Sequence, residues 1–149
     1  MTDYSDVLEF WFGDPASDGF GAYREAWFEK NEAFDAEIKT CFGKDVAKAS
    51  AGSYDSWQDT AEGTLALIIT LDQFPRNIFR GLPKAYAADH KARSIARRAI
   101  DRRFDQGLAT MQRLFIYLPF EHSENLADQR RCVALYLEIL EDFGDEIRD

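Results

Sequence analysis

The sequence predicts an all-α fold. Trp27, Phe34 and Ile38 recur at spacings of seven and four residues, which places them on one side of a helix. No segment of the sequence shows the sustained alternation of apolar and polar residues that is typical of strands. Residues that commonly begin or end helices stand at the edges of the periodic segments. We therefore expect an antiparallel array of helices joined by short loops.

Helical segments are expected throughout the N-terminal part of the sequence. Residues 6–12 form a short apolar helix. A longer helix is predicted for residues 22–42 and is ended by Gly43, because glycine commonly follows the last helical turn. Residues 45–50 are expected to form another short helix, and residues 51–59 a loop.

The helix that follows this loop is expected to be central and buried. Thr60 is a suitable N-cap, and residues 64–71 are nearly all apolar. Pro75 lies just beyond them, and proline removes a backbone hydrogen bond at a cost of about 3 kcal/mol in a helix interior. We therefore expect a kink or a new helix start near Phe74, because proline also disfavours helix in the residue before it.

The C-terminal half is predicted to contain longer helices. One begins at Pro83 and reaches residue 103, and the next covers residues 109–118 and stops at Pro119. Ser123 is the expected N-cap of a last helix over residues 124–143. The buried face of that last helix is expected to contain Val133, Leu137 and Leu140.

Length and charge limit the class of function. The chain has 149 residues, of which 46% are hydrophobic, and this suits a single domain over residues 1–149. The net charge of −9 argues against a nucleic-acid partner and against an anionic membrane surface, because both attract positive charge. The acidic N-terminus lacks the pattern of a secretory signal, and residues 65–71 are too short to span a bilayer. The two cysteines lie far apart in the sequence, which favours free thiols and a cytoplasmic location.

Two polar segments carry the candidate functional residues. In the first, Asp72 and Arg76 are four residues apart and can pair on a helix, and Arg80 shares a face with Arg76. In the second, His122 precedes the last helix and is a candidate acid, base or hydrogen-bond donor near neutral pH. Side chains from both segments, including Glu124, can converge on one pocket.

Three hypotheses about function stay open at this point. The first is a binding module that holds a small anion or a peptide carboxylate through Arg76 and Arg80, since a guanidinium binds both oxygens of such a group. The second is a hydrolase- or transferase-type enzyme that uses His122 and Glu124, with Asp72 as the orienting group. The third is an interaction scaffold in which the polar segments only hold the helices together. The ligand-binding candidates are Gln73, Arg76, Asn77, Arg80 and Ser123.

Metal and cofactor chemistry has little support in the sequence. His90 and His122 are its only histidines, and they do not form the two-histidine helical pattern of a zinc site. Nucleotide-binding glycine motifs are also absent from the sequence, so we expect neither a metal nor a cofactor. A homodimer stays an open alternative.

Residues 71–81, Leu-Asp-Gln-Phe-Pro-Arg-Asn-Ile-Phe-Arg-Gly, resemble the signature of the bacterial family DUF924, a domain of unknown function. Residues 117–124 resemble its second signature, and residues 7–13 its N-terminal pattern. Further matching positions are Trp27, Phe28, Ala87, Asp89, Ala92, Asp128 and Gln129.

This resemblance implies an all-helical fold similar to tetratricopeptide-like helix-pair arrays, and it brings no activity. Family members usually continue with a second Phe-Pro-His-Arg-Asn type stretch, which is absent from this sequence. We therefore expect a site that needs both stretches to be incomplete in this chain.

Overall fold

The computed structural model describes the backbone of residues 2–148 and the side chains of residues 2–142. The described residues form α-helices and short 3-10 turns without a strand, which confirms the predicted all-α class. The tetratricopeptide-like arrangement stays a prediction. None of the helices in this part of the chain is both long and apolar enough to cross a membrane. The helices are α1 (Tyr4–Phe12), α2 (Glu32–Ser50), α3 (Ala61–Ile68), α4 (Phe74–Ile78), α5 (Asp89–Asp101), α6 (Thr110–Glu121) and α7 (Leu126–Arg148).

Helix α3 lies at the centre of the core, as predicted. Its side chains from Leu65 to Ile68 are inaccessible to solvent, and α3 packs against α1, α5 and α6. Thr60 is its N-cap and accepts a hydrogen bond from the Gly63 backbone N–H at 3.0 Å. Aromatic rings surround this centre, and Trp11 makes edge-on contacts with Phe74 and Phe115. A buried helix flanked by such rings holds the segment that follows it in a fixed position.

The chain does not stop at the predicted break but widens there into a π-helical turn, Ile69–Gln73. The backbone N–H of Phe74 donates to the carbonyl of Ile69, five residues earlier. Pro75 is then accommodated near the start of α4, where a missing N–H costs little. The irregularity therefore lies where the sequence predicted it. Such π-turns are frequent at functional sites, and here the turn carries Asp72.

Several predicted helix boundaries were wrong. Helix α2 begins only after Asn31, whose side chain accepts from the Phe34 N–H at 3.0 Å, and it passes through Gly43 to Ser50. A glycine in a helix interior costs only about 1 kcal/mol, which burial of the neighbouring Phe42 and Val46 offsets. In place of the predicted helices over residues 22–42 and 45–50, the chain thus forms one helix that begins later and continues without a break to Ser50.

Two helix boundaries that were predicted from prolines were also wrong. Pro83 begins only a 3-10 turn, Pro83–Tyr86, and α5 starts later, at Asp89. Helix α6 does not stop at Pro119 but continues through it to Glu121. This proline lies in the last turn of α6, and buried neighbours such as Tyr117 and Phe120 keep that turn in place.

The last helix differs most from its prediction. It begins at Leu126 instead of residue 124, because Asn125 is the capping residue and accepts from the Ala127 N–H at 2.8 Å. Ser123 instead accepts from the Asn125 N–H at 3.1 Å. Val133, Leu137 and Leu140 are not buried but 59%, 56% and 63% exposed. The pattern of α7 contains two apolar stripes, and α6 covers the one that carries Cys132 and Ile139.

Candidate functional site

An aspartate and a histidine from the two polar segments form the centre of the candidate site. Asp72 in the π-turn is 1% exposed, and its Oδ1 lies 2.8 Å from Nδ1 of His122 at the end of α6. Gln73 donates to the other carboxylate oxygen at 2.8 Å. Because a carboxylate only accepts hydrogen bonds, Nδ1 carries the proton and Nε2 is the free nitrogen of the neutral ring. Nε2 makes no hydrogen bond with any residue whose side chain the structure describes.

Arg76 ties this centre to helix α5. Its NH1 donates to the Asp72 backbone carbonyl at 2.6 Å, and NH1 and NH2 each donate to Asp89 at 2.7 Å. Burial alone would lower the pKa of Arg76, but the hydrogen bonds to Asp89 and the charge of Asp72 outweigh it and raise the pKa. Arg76 is therefore a firmly held cation, with its fork already occupied by a carboxylate.

Arg80 is held differently. Its Nε and NH2 donate to the two oxygens of Asp35 on α2, at 2.9 and 3.1 Å, and Asn77 donates to the same carboxylate at 2.8 Å. Burial by itself raises the pKa of Asp35, but the hydrogen bonds from Arg80 and Asn77 outweigh it and the pKa is lowered. The pairing uses one edge of the guanidinium. NH1 of Arg80 makes no hydrogen bond with a described residue, and the side chain is 38% exposed.

These side chains line a first pocket of about 210 Å³. Its polar side is formed by Arg76, Arg80 and His122, and its apolar side by Trp27 and Phe28. The remaining lining residues are Gln73, Asn77, Leu118 and Glu121. A pocket with aromatic walls and a few fixed polar groups is typical of a small-molecule site.

A second pocket of about 440 Å³ lies on the other side of His122, between α5 and the start of α7. On its wall, Arg97 donates to both oxygens of Asp128 at 2.8 and 2.9 Å, and the Ser123 hydroxyl donates to the same carboxylate at 2.8 Å. Burial raises the pKa of Asp128, but the hydrogen bonds from Arg97 and Ser123 outweigh it and the pKa is lowered. The other lining residues are Asp89, His90, Arg93, Glu124 and Asn125.

Comparisons with known proteins show the family and support the fold. A family model described as a bacterial protein of unknown function, DUF924, matches residues 7–148. The chain belongs to the DUF924 family. A solved structure of ATU0120, a protein of unknown function from Agrobacterium tumefaciens, matches with a TM-score of 0.81 and 38% sequence identity. That match covers 91% of this chain and 73% of the other, and comparison with curated proteins gave no match.

The fold brings most of the predicted site residues of this DUF924 protein together. Asp72 and Arg76 pair as predicted, with NH1 3.3 Å from Oδ1, and the first pocket collects Gln73, Asn77 and Arg80 around His122. Glu124 and Ser123 lie in the second pocket, and Glu124 has no hydrogen bond to His122. The predicted acid–base pair of His122 with Glu124 thus has a different geometry, in which Asp72 is the direct partner.

Sequence patterns did not predict that three further carboxylates, from other helices, hold the arginines. Asp35 contacts Asn77 and Arg80 across more than forty residues of sequence, so no local pattern could indicate the contact. Asp89 and Asp128 stand at positions that match the DUF924 pattern, but the sequence did not show which residues their side chains contact. Their roles are now clear from geometry, since Asp89 fixes Arg76 and Asp128 fixes Arg97.

Proposed function

We propose that this DUF924 protein binds a small anionic molecule in the first pocket. The observation that carries the proposal is the arrangement of Arg80, which Asp35 holds along one edge while NH1 stays without a described partner. A guanidinium fixed in this way binds an incoming carboxylate or phosphate without losing much side-chain entropy.

His122 completes the proposed anion site. It lines the same pocket as Arg80, and Asp72 fixes its orientation through Nδ1. In its protonated form the ring can donate from Nε2 to a bound anion. Trp27 and Phe28 supply an apolar wall, and Glu121 adds a negative charge to the lining. The pocket therefore favours a small ligand that combines a carboxylate with an apolar or amine-bearing part.

The test is a binding screen with small carboxylates and amino acids, followed by variants. Arg80→Gln should weaken binding of any carboxylate found by at least about tenfold, since hydrogen bonds to charged groups contribute about 1.5–3 kcal/mol. Arg98→Gln is the matched control, because Arg98 is an exposed arginine outside both pockets. Strong destabilisation of the fold by both Arg76→Gln and Arg80→Gln, with no ligand in the screen, would instead assign the arginines to a structural network.

An acid–base enzyme is the second candidate, and the Asp72–His122 pair is the observation that favours it. A buried carboxylate that fixes the tautomer of a histidine leaves Nε2 as a base for a substrate proton. Turnover of small esters or phosphate esters should then be lost in His122→Ala, while ligand binding through Arg80 persists. Equal turnover by wild type and His122→Ala would remove this candidate.

We further propose that this DUF924 protein is cytoplasmic and that its partner there is a second copy of the chain. Leu126, Val133, Leu137 and Leu140 form an exposed apolar stripe on α7, which we call the α7 stripe. By helical spacing, Arg130 lies beside its first half and Glu141 beside its second half. Two such helices packed antiparallel place the basic half of each against the acidic half of the other. This self-complementarity is what a two-fold interface needs.

A further inference from the structure

We infer that the second pocket is a phosphate-binding site centred on Arg93. This site is separate from the proposed carboxylate site, because it lies beyond the Arg76–Asp89 ion pair, which has one member in each pocket. Its occupant is the phosphate group of a small molecule.

The unusual feature of the pocket is the state of Arg93. Its side chain is only 16% exposed, yet it donates no hydrogen bond to any described residue. Its ion pair with Asp128 spans 3.8 Å between Nε and Oδ2, which is beyond hydrogen-bond distance. A guanidinium has five N–H donors, and Arg93, which lines the pocket, has no described carboxylate within hydrogen-bond distance of them. A phosphate provides acceptor oxygens of the required charge.

Two neighbouring carboxylates do not relieve this situation, because they already hold other arginines. Arg76 is held by Asp89, and Arg97 is held by both oxygens of Asp128. Asp128 accepts from the Ser123 hydroxyl as well, so its oxygens are engaged away from Arg93. Arg93 is thus the arginine of the second pocket that no described carboxylate holds through a hydrogen bond.

Other groups of the pocket suit an anion of this size. The rings of His90 and His122 line it, and each can donate when protonated. The pocket also opens at the start of α7, whose dipole favours negative charge there. Glu124 is the opposing charge, since it is exposed and makes no ion pair with a described residue. Asp89 and Asp128 also line the pocket, but each is paired with an arginine.

The volume of the pocket leaves room for an organic group attached to the phosphate. At about 440 Å³ the second pocket has roughly twice the volume of the first. An inorganic phosphate fills only part of such a space. A phosphomonoester can place its phosphate against Arg93 and its hydroxyl groups against Asn125 and Glu124, which lie at the start of α7.

The experiment is an NMR titration of the full chain with inorganic phosphate at constant ionic strength, observed through the histidine ring signals. Wild type should show saturable shifts of the His90 and His122 ring signals, because both rings line the pocket. Arg93→Gln should weaken the affinity by at least about tenfold. Arg98→Gln, an exposed arginine on the same helix, should leave it unchanged.

Two further variants keep the test decisive. Arg93→Lys retains the charge but loses the planar fork, so it should fold and bind phosphate with intermediate affinity even where Arg93→Gln is unstable. Arg80→Gln should bind phosphate like wild type. Loss of the phosphate response in Arg80→Gln, with Arg93→Gln unaffected, would overturn this site and support the first pocket instead. A linear, non-saturating response of wild type would also overturn it.

A comparison of ligands then distinguishes the source of the phosphate. Glycerol phosphate should bind more tightly than inorganic phosphate if the pocket recognises an ester. Equal affinities, still lost in Arg93→Gln, would retain the phosphate site but overturn its assignment to an ester.

Discussion

Asp72 shows how one carboxylate can organise a site. It is 1% exposed, and it accepts from His122 and Gln73 while Arg76 lies against it at 3.3 Å. A buried charge is tolerated only when such partners compensate its lost hydration. The carboxylate therefore serves both the stability of the π-turn and the orientation of the histidine.

Replacing this carboxylate should be costly. We expect Asp72→Asn to lower the free energy of unfolding by about 3–5 kcal/mol, because it leaves Arg76 without one of its compensating charges. Urea denaturation monitored by circular dichroism measures the change. Asp101→Asn is the matched control, since Asp101 is exposed and should change stability by no more than about 0.5 kcal/mol. Equal stability of the two variants would show that the Asp72 network contributes little to the fold.

Gly63 is the second residue with a specific structural requirement. A Cβ at this position in α3 would lie 2.2 Å from the carbonyl oxygen of Trp57, so the preceding 3-10 turn can pack here only against a glycine. Gly43 in α2 has no such neighbour, since the nearest atom to its Cβ position is 3.9 Å away.

The two glycines should therefore respond oppositely to alanine. Gly43→Ala should stabilise the protein by up to about 1 kcal/mol, through the better helix propensity of alanine. Gly63→Ala should destabilise it by about 1–3 kcal/mol, because the backbone of the turn must move. Thermal unfolding of both variants measures the two signs. Stabilisation by Gly63→Ala would contradict the close approach of Trp57.

Residue-level prediction from sequence worked where partners are close in the chain. The Asp72–Arg76 pair follows from a spacing of four residues on a helix, and Thr60 follows from cap chemistry. The partnership of Asp35 with Arg80 could not be predicted, because tertiary packing alone brings α2 against α4. Sequence spacing thus predicted the local pair at Arg76, while the distant carboxylate that holds Arg80 lay beyond its reach.

At the scale of elements, the sequence predicted helix positions better than helix ends. The apolar periodicity predicted the positions of α3 and α6 correctly, but the helix ends predicted at Gly43 and Pro119 were wrong. Gly43 and Pro119 each cost a limited amount of free energy, which burial of several large neighbours exceeds. Helix ends therefore depend on tertiary packing that local residue types do not encode.

Ion pairs between helices give this fold a predictable acid sensitivity. Asp35 joins α2 to Arg80, which follows α4, and Asp128 joins α5 to α7; the pKa of each carboxylate is lowered in the folded protein. A lowered pKa means that the folded state binds fewer protons than the unfolded state near that pH. Each carboxylate thus contributes stability above the usual aspartate pKa of about 4, which is lost as the pH falls through the folded value.

Asp128→Asn tests this directly. It should lower the free energy of unfolding at neutral pH by roughly 1 kcal/mol, a value kept small because Arg97 is 40% exposed to screening solvent. It should also flatten the loss of stability between about pH 5 and about pH 2. Urea midpoints measured across this range give the slope, and Asp101→Asn should keep the wild-type slope. Identical slopes for Asp128→Asn and wild type would place the acid sensitivity elsewhere.

At the scale of the whole molecule, the α7 stripe is the feature that the fold leaves unexplained. Monomers seldom expose several large apolar side chains in one row, and such a row usually marks an interface. The sequence pattern could not show which of the two apolar stripes of α7 faces the core, because both have helical spacing. Only the position of α6 decides this, and α6 covers Cys132 and Ile139.

The proposed homodimer makes a definite prediction for solution behaviour. One helix face buries less area than the roughly 1,200–2,000 Å² of a stable interface, so the monomer–dimer equilibrium should depend on concentration. Sedimentation velocity over a concentration series should show the dimer in wild type and only monomer in Leu137→Glu. Leu82→Glu is the matched control, because Leu82 and Leu137 are both 56% exposed but Leu82 lies away from α7. Added salt should weaken the dimer if Arg130 meets the acidic half of the second copy, since exposed charges are screened. A wild-type monomer at every concentration would contradict this pairing, and an unchanged dimer in Leu137→Glu would move the interface to another face.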